Sequence, residues 1–114
     1  MKQKLLVYII GAYSGDTKAN IAKAEAASIA LIRAGYHVFT PHKNTAGYEK
    51  YEGSMMNMNN PLPHVISWNT WIEMDLHILS KCDAIFIMDN AKDSHGSKIE
   101  IEFAKSRNIP EVTL

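Results

Sequence analysis

The sequence has little of what many protein classes rely on for staples, anchors or broad electrostatic attraction. Its 114 residues include one cysteine, Cys82, so no internal disulfide can form and a cytoplasmic location is the natural expectation. Twelve basic residues cancel twelve acidic ones. That balance removes the field that polymeric nucleic acid or an anionic membrane surface would exploit, and leaves room for a small neutral or singly charged ligand. The apolar run Leu5 to Ile10 follows a basic start but spans only six residues. It falls short of the ~7–15 of a signal-peptide core and far short of the ~20 of a membrane span. The histidines, including His42, His64, His77 and His95, show no HxxxH spacing and there is no CxxC, so these histidines read as surface or loop residues and no metal is expected. Neither GxGxxG nor GxxxxGK[ST] occurs.

What is present is an alternation of strand and helix signals across one domain, residues 1–114. Leu5 to Ile10 reads as a strand buried on both faces, ended by Gly11. Asp16 or Thr17 can cap a helix through the alanine-rich segment to Ala34, with Ile21, Ala24, Ser28, Leu31 and Ile32 at helical spacing and Gly35 as its stop. Tyr36 to Thr40 is a second strand. From about 41 to 66 the periodicity is lost, and this segment, with its run Met55-Met56-Asn57-Met58-Asn59-Asn60, reads as a loop that could form a flap over a site. A helix follows from Ser67, then a third strand from Asp83 to Asp89. Another helix is expected from Ser97 to Arg107, and a fourth strand from Glu111 to Leu114. This pattern implies an α/β, flavodoxin-like three-layer sandwich around a parallel sheet of four or five strands, order 2-1-3-4. Ligands of such sheets bind beyond the carboxyl ends of the strands. The turns Gly11 to Asp16 and Ser94 to Glu100 therefore share one edge.

Three places could carry chemistry. Gly11-Ala12-Tyr13-Ser14-Gly15-Asp16 can expose amides to phosphate or hydroxyl oxygens, or can simply start a helix. Asp75 falls within the stripe Trp68, Trp71, Ile72, Leu76 and Leu79 rather than opposite it. A carboxylate there needs a partner, such as Lys81 or Arg107, or a purpose. Ser97-Lys98-Ile99-Glu100 matches a capping box, yet the upstream Ser94 and Gly96 extend the polar turn beyond what a cap needs, so Glu100 could instead attack a ligand held there. Trp68 and Trp71 read as core residues, although one at a helix start could stack on a base. Asp89 ends the third strand at the ligand edge, where it either binds a hydroxyl or merely terminates the strand.

Taken together, Val7-Tyr8-Ile9-Ile10-Gly11 with Ser14-Gly15, Trp71-x-x-x-Asp75, Cys82-Asp83-Ala84-Ile85 and Ser94-x-Gly96-Ser97-x-x-Glu100-x-x-x-Ala104 resemble the nucleoside 2-deoxyribosyltransferase superfamily. That superfamily includes 2'-deoxynucleoside 5'-phosphate N-hydrolases and small, often phage-borne relatives. The resemblance implies cleavage or transfer at the N-glycosidic bond of a nucleoside or nucleoside 5'-monophosphate, without a cofactor. Glu100 then corresponds to the nucleophile, Asp75 to the acid that protonates the departing base, and Tyr8 to the residue that orients the nucleophile. Gly11, Tyr13, Ser14, Gly15, Asp89, Ser94, Gly96 and Ser97 are the expected substrate contacts. Ser94 resembles the nucleotide-handling branch, in which a serine helps to bind the 5'-phosphate, whereas Asp16 is unfavourable beside a phosphate. Relatives complete the site from a neighbouring subunit, in part with a C-terminal segment that has no counterpart here, so a homodimer or higher homo-oligomer is expected. A nucleotide-binding or sequestering module of the same fold, without turnover, is the alternative.

Overall fold

In a computed structural model that describes residues 4–45 and 66–114, three parallel strands form the centre of the molecule. They are β1 (Leu6–Ile10), β2 (His37–Phe39) and β3 (Ala84–Ile87), in the order β2-β1-β3. Val7 of β1 sits opposite Val38 of β2 and Ala84 of β3. The central strand is apolar throughout because both its faces are covered. Val7 and Ile9 pack with Ala24 and Leu31 of α1 (Thr17–Arg33), whereas Tyr8 and Ile10 pack with Leu79 of α3 (Trp68–Leu79) and Ala104 of α4 (His95–Ser106). The layers are thus one helix, the sheet, and two helices.

Short-range chemistry sets the ends of these helices. Asp16 caps α1, its Oδ1 accepting from the Ala19 N–H at 3.2 Å. At the other end Gly35, at φ +102°, closes a Schellman turn in which the Gly35 and Tyr36 amides donate to the Ile32 and Leu31 carbonyls. Ser67 caps α3 by accepting from the Thr70 N–H at 3.1 Å. Ser28 and Leu31 keep their expected buried places on α1, but Ile32 is 55% exposed. The buried stripe instead runs through Asn20, Ala24, Ser28 and Leu31.

Three expectations need correction. Residues 41–45, expected as loop, form a short helix, α2 (Pro41–Thr45), in which Pro41 supplies a preset φ at the first helical position. The rest of the expected loop, 46–65, including His64 and the Met/Asn run, lies outside the described residues. The helix α4 starts at His95 rather than Ser97, because Ser94 is the cap: its Oγ accepts from the Ser97 N–H at 3.1 Å. Finally, the expected fourth strand is a single parallel bridge between Glu111 and Ile85, made by Ile85 N–H to the Pro110 carbonyl and Val112 N–H to the Ile85 carbonyl. It lies beside β3, but only three strands are formed among the described residues.

Candidate active site

The connections that leave β1, β2 and β3 meet at the carboxyl edge of the sheet and enclose a cavity of about 420 Å³. Its wall includes Gly11 to Ser14 after β1, Pro41, His42 and Thr45 after β2, the α3 residues Trp68, Trp71, Ile72 and Asp75, and Asp93 to Ser97 with Glu100. This is the size of a pocket for a small organic molecule. It is also the crevice where strand order reverses.

Glu100 lies one turn into α4, on the face that carries Ser97 and Ala104 into the core. Its Oε2 accepts a hydrogen bond from the Tyr8 phenol, which reaches it from the middle of β1. The carboxylate is not a helix cap, since Ser94 fills that role and Ser97 stands inside the first turn with its Oγ unpartnered among the described residues. Burial pushes the Glu100 carboxyl up to about 8, with the Asp75 charge adding to the rise and the Tyr8 hydrogen bond opposing it. Asp75 stands on α3 across the same cavity, and burial raises it to about 6. Its Oδ1 is buried without a partner among the described residues. The bridge to Lys81 or Arg107 is not made: Arg107 lies over the Phe103 ring at 4.8 Å, and the one ion pair among the described residues joins Lys43 to Glu25. The Tyr8 phenol is held far above its usual range, first by burial and then by the Glu100 charge, so it remains a donor.

The turn after β1 is held by side chains that the sequence did not single out. Asn90 accepts from the Ala12 N–H at 3.0 Å and donates to Asn20 at 3.3 Å, while Asn20 donates to the Tyr13 and Ser14 carbonyls at 3.2 and 3.0 Å. Asn20 shares the buried stripe of α1, so the argument that found Asp75 could have found it too. A side chain at Gly11 would meet this clamp, because a Cβ there would stand 2.6 Å from Met88 Sδ and 2.9 Å from Asn90 Oδ1. Gly96 lets α3 approach, with Ile72 Cδ1 3.2 Å from where a Cβ would sit. His42, expected at a surface or in a loop, is 3% exposed and lines the cavity.

The expected contacts divide as follows. Gly11, Tyr13, Ser14, Ser94, Gly96 and Ser97 line the cavity together with Asp75 and Glu100. Gly15 does not; it serves the turn at φ +96°. Asp89 does not either, because it begins a short 3-10 helix (Asp89–Asp93) and faces a second cavity with Lys23, Phe86 and Lys92. Trp71 is buried as expected, but Trp68 is 50% exposed and stacks on His95, ring centroids 5.6 Å apart. No Lys or Arg lines the first cavity among the described residues, whereas Asp75, Asp93 and Glu100 do.

This architecture is the 2-deoxyribosyltransferase fold. The chain superposes with a TM-score of 0.62 on a 2-deoxyribosyltransferase from the psychrotolerant bacterium Bacillus psychrosaccharolyticus, at 18% identity, covering 93% of this chain and 69% of that one. By sequence the chain belongs to the family described as Domain of unknown function (DUF4406), matched over residues 5–113. No curated protein matches it in sequence.

Proposed function

We propose that this protein cleaves or transfers at the N-glycosidic bond of a nucleoside or nucleoside 5'-monophosphate, with Glu100 as nucleophile. The observation that carries this reading is the convergence of Glu100, hydrogen-bonded to Tyr8, and Asp75 on one cavity at the sheet edge. Tyr8 engages Oε2 and favours the ionised carboxylate, leaving Oε1 to bond to the anomeric carbon as the carbon–nitrogen bond breaks. Asp75 delivers its proton to the departing base. Water or a second base then displaces Glu100 from the sugar, giving its proton to Asp75, so one turnover restores both carboxyls. Between about 6 and 8 the two groups together hold one proton, and the competent form has it on Asp75. The fold relative is a glycosyl-transferring enzyme by its description, which supports the same class of reaction.

A non-catalytic nucleotide-binding module is the second reading, favoured by the raised Glu100 carboxyl, which leaves little free nucleophile at neutral pH. Chromatography of 2'-deoxynucleosides and their 5'-monophosphates incubated with the protein separates the two. Free base released by the wild type, or exchanged when a second base is added, and reduced by at least ~10³-fold in Glu100→Ala, is the expected result. Binding with no turnover across the panel contradicts catalysis and leaves the binding module. The reading includes a cytoplasmic homodimer or higher homo-oligomer, and a monomer by sedimentation velocity at micromolar concentration contradicts that part.

A further inference from the structure

His42 takes no part in the chemistry above, yet it is buried at the wall of the same cavity. Its Nε2 stands 3.1 Å from the carbonyl oxygens of both Gly11 and Ala12. Carbonyls only accept, so Nε2 must carry the proton and donate to them. That contact fixes the tautomer and leaves Nδ1 with a bare lone pair. Nδ1 is buried and has no partner among the described residues. Burial also lowers the imidazole's tendency to take a second proton, so the lone pair stays an acceptor.

A buried acceptor without a donor is destabilising, and native proteins seldom keep one without use. The Tyr13 ring leans over the imidazole at 6.2 Å between centroids and 50° between planes, so the side chain is confined as well as tethered. We infer that His42 is a specificity-determining residue, whose Nδ1 accepts a hydrogen bond from a donor group of the bound nucleoside. This rests on the proposed nucleoside site. The donor is a hydroxyl of the sugar or the exocyclic amino group of the base.

Two substitutions separate the two nitrogens. His42→Gln can place an amide N–H near the position of Nε2, keeping the hold on Gly11 and Ala12 while removing the acceptor. His42→Asn can place its oxygen near Nδ1 while giving up that hold. Binding is measured by calorimetry for 2'-deoxyadenosine and 2'-deoxycytidine, each beside analogues lacking the exocyclic amino group, the 3'-hydroxyl or the 5'-hydroxyl. The wild type should bind one class of analogue about tenfold or more weakly than its parent. His42→Gln should bind the parent about tenfold more weakly than the wild type does, yet equal the wild type on that analogue, whose missing group names the donor. His42→Asn should keep the wild-type discrimination at a lower melting temperature. Equal losses on every compound in His42→Gln, no loss at all, or discrimination abolished in His42→Asn overturn the role of His42 alone. Failure of the wild type to bind any nucleoside overturns the nucleoside reading, and this inference with it.

Discussion

A buried carboxyl, a half-buried one and a buried imidazole govern how the protein responds to pH. Glu100 is raised to about 8 and Asp75 to about 6, both chiefly by burial. A raised carboxyl keeps its proton to higher pH in the folded state than in the unfolded chain, so unfolding releases protons between roughly pH 4.5 and 8 and stability falls as pH rises through that window. His42 is lowered, so it opposes this only on the acid side, below its ordinary value of 6.5. The melting temperature should therefore decline from pH 6.5 to 8.5, and Glu100→Gln should flatten that decline and raise the melting temperature at pH 8 by about 5 °C or more. An unchanged profile in Glu100→Gln contradicts the buried, raised carboxyl. Asp75 was legible in the sequence because its position on an apolar stripe is a matter of counting, and Glu100 stood out through its polar turn. His42 was not, since nothing in a single histidine after a short strand reveals that the chain folds back to bury it. Asp89 was misplaced for a related reason: a residue at a strand end lies at the ligand edge, but the turn that follows decides which face it serves.

Helices and turns bring those residues to one place. Ser94 begins α4 and Gly11 allows the turn after β1 to close on Asn90, so each has a local test. Ser94→Ala removes a cap and should cost about 1 kcal/mol, read as a melting temperature lower by about 4–8 °C. Gly11→Ala forces Met88 and Asn90 aside and should cost about 1–3 kcal/mol while weakening ligand binding, because the Ala12 to Asn90 bond is lost with it. Wild-type stability in either variant contradicts the local account. The long elements were readable: α1 from its Asp16 cap to its Gly35 stop, and β1 from its unbroken apolar run. The start of α4 was not, because Ser94 and Ser97 both satisfy the cap preference and only the backbone at Ser94, extended at φ −120° and ψ 121°, decides between them. Nor was α2, whose five residues are too few to show a period.

At the level of the molecule, the β2-β1-β3 order brings three strand ends to one edge, and the cavity follows from that topology rather than from any single motif. The sheet order for strands one to three was readable from alternating strand and helix signals, whereas the fourth segment pairs through one bridge that no composition rule foretells. Tyr8 and Glu100 lie 92 positions apart in the chain, and only the closed sheet joins them. That junction is the basis for proposing Glu100 as the nucleophile. Intact-mass measurement after incubation with a nucleoside fluorinated at the sugar 2-position, which slows release of the glycosyl group, tests the assignment directly. The wild type should gain the mass of one fluoroglycosyl group, mapped by peptide fragmentation to Glu100, and Glu100→Gln should gain none. Base release by the wild type with the adduct on another residue, or undiminished base release by Glu100→Gln, would contradict the assignment.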